Sequence, residues 1–101
     1  MKSVMQEDCS VCYLCGGKPN AWDGRLEEHH VFMGNPLRRK SEQYGLKVYL
    51  HGGKCHREGP DSVHKNIEVR RKLEKEAQRR FEQLHNGDRE MFIREFNYSR
   101  L

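Results

Sequence analysis

The stretch YGLKVYLHGGKCHREGPDSVHKN, Tyr44 to Asn66, decides how the rest of the chain is read. Leu46, Val48 and Leu50 alternate with Lys47 and Tyr49, which is the period of a strand with one buried face. The strand runs into a glycine-rich turn carrying His51, Cys55 and His56. Beyond Pro60 the pattern changes to that of a helix. Asp61 or Ser62 offers a cap, and no breaker follows until Gly87. Val63, Ile67, Val69, Leu73, Ala77, Phe81 and Leu84 return every two to four residues and form one apolar stripe. Glu68–Lys72 and Glu76–Arg80 fall at i,i+4 in the order that favours ion pairing.

Upstream, CYLCGG places Cys12 and Cys15 on a turn that glycine lets curl beneath the sulfurs. Zinc takes four ligands in a tetrahedron, so this pair needs a second one. His51 and Cys55 supply it across their own glycine-rich turn, making Cys12, Cys15, His51 and Cys55 a structural zinc site. Cys9, in CSVCYLC, competes for the fourth place. A closed four-ligand site has no room for substrate and builds the fold only. A second strand is expected in RLEEHHVF, with His29 and His30 adjacent. Neighbouring residues on a regular strand face opposite ways, so a shared role for the pair requires the strand to give out here. At the C-terminal end, DREMFIREFNYSRL reads as a short helix over about residues 88–99 that returns Met91, Phe92 and Phe96 to the core.

With 101 residues, 35% hydrophobic and 34% charged, the chain reads as one α+β domain over 1–101. Its zinc knuckle and core cover about 9–85. Such a thin core calls for a staple, and the four cysteines are the material. No stretch resembles a signal peptide or is long enough to span a membrane. The expected location is therefore the cytoplasm, where thiols stay reduced and bind metal. The net charge of +4 suits nucleic acid without requiring it.

The pieces EEHHVF, LKVYL, a knuckle ending in CH and a helix opening SVHKN resemble the HNH endonucleases of the ββα-metal fold. The likeness spans about residues 12–66. It is closest to small phage and prophage HNH proteins, and more distantly to the nuclease domain of phage recombination-enhancement proteins. The family's knuckle is more often Cys-x₃-Cys-His, and here His51 stands at the first cysteine. The resemblance implies that His29 is a ligand of a catalytic divalent ion and that His30 is the general base. It implies His64, on the opening turn of the helix, as the ligand opposite His29. His56 is a second candidate, since members differ over which of these two positions binds. Asn66 would hold a ligand or contact phosphate.

The chemistry agrees with that assignment. A neutral imidazole, pKa about 6.5, accepts a proton from water at neutral pH. An ion with open positions binds the phosphate and the leaving oxygen. Imidazole ligands favour Mn²⁺, Ni²⁺ or Zn²⁺ over Mg²⁺, so Mn²⁺ or Ni²⁺ is expected to support activity at least as well as Mg²⁺. The expected partner is DNA, in a phage or its bacterial host cell. Arg38, Arg39 and Lys40 would contact it from the loop between the strands. Arg71, Lys75 and Arg79 would do so from one helix face, unless Glu68, Glu74 and Glu76 neutralise that face. Such backbone contacts carry no sequence information. Trp22 and Tyr44 are candidates for base stacking, with packing near the knuckle the favoured role for Trp22. The expectation is thus a metal-dependent DNA endonuclease of low intrinsic specificity. The rivals are a non-catalytic zinc-knuckle module that binds nucleic acid or protein, and an RNA nuclease.

Overall fold

Two five-residue strands, β1 (Leu26–His30) and β2 (Lys47–His51), form an antiparallel pair. The computed structural model describes residues 1–101. Three helices complete the α+β fold: α1 (Leu37–Tyr44), α2 (Ile67–Leu84) and α3 (Arg89–Phe96). Between β2 and α2 the backbone makes a wide π-type turn over Gly52–Arg57, with Glu58 N–H donating to the Gly53 carbonyl at 2.8 Å. The radius of gyration is 13.3 Å, close to the roughly 13 Å of a single compact domain of this length.

The register pairs Leu26 with His51, Glu28 with Tyr49 and His30 with Lys47, so these six share one face. Glu27 opposite Leu50 and His29 opposite Val48 share the other. β2 follows its sequence pattern, with Leu46, Val48 and Leu50 fully buried. Lys47, on the opposite face, is nevertheless covered, because Glu28 and Glu42 bind its ammonium at 3.1 and 2.9 Å. Around the sheet, Phe32, Leu73, Ala77, Phe81, Phe92 and Phe96 close the core.

Four expectations are corrected by this architecture. The segment holding Arg38, Arg39 and Lys40 is helix α1, not loop. Ser41 is buried there, its hydroxyl accepting from Phe32 N–H at 3.1 Å and donating to Phe32 C=O at 3.0 Å. Gly45, at φ +69°, closes that helix in the left-handed conformation. The long helix begins at Ile67 rather than near Asp61, because Val63 and His64 spend their N–H groups on the knuckle. Val63 and His64 N–H donate to the carbonyls of Cys55 and His56 at 3.0 and 3.1 Å. The cap is Asn66 rather than Asp61 or Ser62, its side-chain oxygen accepting from Glu68 and Val69 N–H. Finally, Arg80 donates to the Val4 carbonyl and Glu76 accepts from Tyr13. Neither Glu68–Lys72 nor Glu76–Arg80 is among the ion pairs.

The C-terminal helix forms with Asp88 as its cap, accepting from Met91 N–H at 2.9 Å. Phe92 and Phe96 are buried and stacked at 4.9 Å, while residues 97–101 leave the helix. Trp22 is 95% exposed and does not pack at the knuckle. Tyr44 lies edge-on to Phe81 and donates to Glu95, so its ring is committed to the core.

Candidate functional site

Cys12, Cys15, His51 and Cys55 converge, with their ligand atoms all within 4.8 Å of one another. Zn–S bonds of about 2.3 Å at tetrahedral angles place sulfurs about 3.8 Å apart, so the group is within a small adjustment of closing on an ion. The knuckle is shaped locally. Cys12 N–H donates to Gly17 C=O, and Gly16 N–H to Cys12 C=O, both at 2.8 Å, with Gly16 at φ +76°. His51 is fully buried. Its Nε2 lies 2.7 Å from the Lys18 carbonyl and its Nδ1 lies 3.3 Å from Cys15 Sγ. A carbonyl only accepts, so Nε2 carries the hydrogen and Nδ1 is left with its lone pair toward the thiols. That is the tautomer a metal ligand needs. Cys9 is exposed, bonds to the Gln6 carbonyl and stands outside the cluster.

Burial raises the Cys12 thiol, but the N–H groups of Cys15, His51 and Leu14 outweigh it and its pKa falls below the usual thiol range. Cys55 moves the other way, raised first by burial and then by Cys12 and Cys15. Without a cation the cluster cannot gather all its thiolates. With one, the thiolates become ligands and their mutual repulsion is cancelled.

His29, His56 and His64 form a second group, also within 4.8 Å. Their rings meet edge to face, with centroids 5.1, 6.0 and 4.7 Å apart. Three elements deliver them: β1 carries His29, the π-type turn His56, and the strap before α2 His64. His56 Nδ1 lies 2.9 Å from Glu27 Oε1. The carboxylate fixes the hydrogen on Nδ1 and leaves Nε2 free to bind. Glu27 and His29 are two apart on β1, which is why both reach the same imidazole. His56, and secondarily Arg57, hold the Glu27 carboxyl below its ordinary pKa. His29 is 3% exposed, and its Nε2 has no hydrogen-bond partner. Burial, then the neighbouring His56, His64 and His30 and the charge of Arg70, push its pKa down to about 3. His64 is lowered as well, first by burial and then by His56. A buried imidazole nitrogen without a partner is costly in a merely structural role, and a neutral ring can turn a lone pair to a cation there.

His30 faces the other side of β1. Its Nε2 lies 2.8 Å from Glu42 Oε1 and 3.6 Å from Glu28 Oε1. The Glu42 carboxyl is held far below its usual range by the Met1 ammonium, by His30 and by Lys47. Glu28, His30 and Glu42 are close enough to chelate an ion, but the Lys47 ammonium already occupies the space between the carboxylates. The strand therefore points its two histidines apart, as a regular strand must, and ends immediately after them. Both still line one open cleft of about 400 Å³, together with Glu28, Arg38, Arg57 and His64. A neighbouring polar cleft of about 620 Å³ shares Glu28, His30 and Arg38 and adds Arg39 and Glu42.

No family model, curated protein or solved structure matches this chain. Of the expected DNA contacts, Arg38 and Arg39 are exposed at the cleft. Lys40 is paired with Glu95 at 2.9 Å and faces α3 instead. Arg71, Lys75 and Arg79 are exposed along α2, the last about 12 Å farther along the axis than the first at 1.5 Å per residue. The sequence reading missed Glu27 and Glu42. Period-two spacing from His29 was a signal for Glu27, whereas nothing in the sequence marked Glu42.

Proposed function

We propose that this chain is a metal-dependent DNA endonuclease of the HNH type, hydrolysing phosphodiester bonds with low intrinsic sequence specificity. The observation that carries the reading is the meeting of His29, His56 and His64 beside a cleft that His30 also lines. Three imidazoles leave coordination positions open, unlike the four-ligand Cys₃His cluster. His29, His56 and His64 would hold a divalent cation, which would supply charge neutralisation for the phosphate and the departing 3′-oxygen.

The protein's own groups do the rest. Glu42 keeps the hydrogen of His30 on Nε2, so Nδ1 is the nitrogen that takes a proton from water. The water oxygen bonds to phosphorus as the P–O3′ bond breaks, and the 3′-oxygen leaves and takes its proton from bulk water. The His30 ring is oriented by Glu42 at 2.8 Å, with Glu28 at 3.6 Å. Arg38 and Arg57 reach the same cleft and suit the non-bridging oxygens. Contacts of this kind to the phosphate backbone carry no sequence information, in keeping with low specificity.

The test is conversion of supercoiled plasmid by the zinc-loaded protein with added Mn²⁺. Relaxed or linear product is expected from the wild type and none from His30→Ala. An intact plasmid under these conditions, with the protein folded, rejects the nuclease reading in favour of a binding module. A parallel RNA substrate separates DNA from RNA cleavage.

A further inference from the structure

Next to the histidine cleft, and sharing Met33 with it, lies a smaller pocket of about 260 Å³ between the starts of α1 and α2. Its walls include Met33, Ile67 and Tyr98, which are 38%, 50% and 60% exposed. Large apolar side chains left open at one spot mark a binding surface more than they mark a core. The pocket also holds Arg70, Arg71 and Arg100, with Glu74 as its one carboxylate. Arg70 and Arg71 make no ion pair. The Arg100 guanidinium lies 3.8 Å above the Tyr98 ring and 4.7 Å from the centre of Phe32. It donates to the Phe96 and Tyr98 carbonyls, which pins the tail beside the pocket.

We infer that this pocket receives an unpaired nucleobase next to the phosphate cut in the histidine cleft, so that the preferred DNA has a single-stranded nucleotide at that place. The inference rests on the nuclease reading and adds a substrate class to it. A base needs apolar walls, a flat side chain to stack on, and cationic groups for the phosphate that follows it. Met33 and Ile67, the face of the exposed Tyr98 ring opposite Arg100, and Arg70 with Arg71 supply these in turn. The volume falls below the roughly 300–1,000 Å³ of pockets that take drug-sized ligands, which suits one base and not a longer ligand. A base in an intact duplex is stacked and paired, and moving it out costs energy that an already unpaired base does not. An overhang, gap or flap therefore fits where a blunt duplex does not.

The experiment measures binding by fluorescence anisotropy, on zinc-loaded protein without other divalent ions. The probes are a labelled blunt duplex and the same duplex with a short unpaired gap carrying 2-aminopurine. Tighter binding to the gapped probe by about tenfold is expected, with the 2-aminopurine emission quenched on binding. Loss of one stacking contact on Tyr98→Ala weakens the gapped complex by about tenfold or more, leaves the blunt complex within about twofold, and is rescued by Tyr98→Phe. Equal affinity for the two probes, or equal loss on both in Tyr98→Ala, overturns the inference while leaving the nuclease reading intact. Binding to neither probe, in a protein that also leaves plasmid uncut, overturns both.

Discussion

Replacing His29 with leucine keeps a buried side chain of similar bulk and removes a ring nitrogen that has no partner, and the consequence for stability is predictable in size and sign. The ring is 3% exposed with Nε2 unpartnered. A group left so costs about 1–3 kcal/mol, and leucine of similar bulk does not incur it. The pH dependence adds a second signature. His29 titrates near 3 in the folded chain and near 6.5 when unfolded. Its folded pKa is depressed, so the unfolded chain binds the extra proton and stability falls as pH drops from about 6.5 toward 3. The slope is about 1.4 kcal/mol per pH unit within that window. Between pH 7.5 and 5.5 the wild type should therefore lose about 1.4 kcal/mol that His29→Leu retains. Urea unfolding followed by circular dichroism measures this, on both proteins carrying one equivalent of zinc and no other divalent ion. The variant should be the more stable at pH 7.5, with a gap that widens on acidification. A variant less stable than wild type, or a gap that stays constant with pH, refutes the reasoning.

A β-carbon at Gly52 would meet the Glu27 carboxylate at 2.8 Å. Gly52→Ala should displace that carboxylate from His56 and weaken divalent binding roughly 10-fold or more, read by Mn²⁺ titration, while circular dichroism stays unchanged. Cys55→Ser should abolish stoichiometric zinc, measured by elemental analysis, and unfold the chain, because a structural zinc contributes folding energy directly. Asn66→Ala removes the cap of α2 and should cost about 1 kcal/mol in urea unfolding. In the plasmid assay, Mn²⁺ or Ni²⁺ should support cleavage at least as well as Mg²⁺, because the site offers nitrogen. Activity with Mg²⁺ alone would contradict the histidine ligand set.

The sequence exposed what repeats or what is chemically rare. Alternation in Leu46–Leu50 located β2, and the apolar stripe located α2. Cysteine and histidine spacing located the Cys₃His cluster and marked His29, His30, His56 and His64 together, while only the family resemblance set His30 apart from the other three. What it hid was decided by backbone hydrogen bonding and by ordinary residues. LRRKSEQY offers little apolar periodicity, and α1 is held by a buried serine bonded to Phe32, a contact that leaves no compositional mark. The start of α2 moved because Val63 and His64 are strapped to Cys55 and His56, which no cap rule anticipates. Lys40 looked like its two basic neighbours, and only the position of Glu95 separates it from them. Glu42 is an unremarkable surface-helix residue until folding sets it against His30.

The most direct test of the central claim is a titration of the zinc-loaded protein with Co²⁺, followed by visible absorption and by elemental analysis after dialysis. One further equivalent of exchangeable Co²⁺ per chain, lost in His29→Leu and His64→Ala while the zinc remains, is the predicted result. A protein that holds its zinc and takes up no second ion, or takes one up equally well without those imidazoles, contradicts the account.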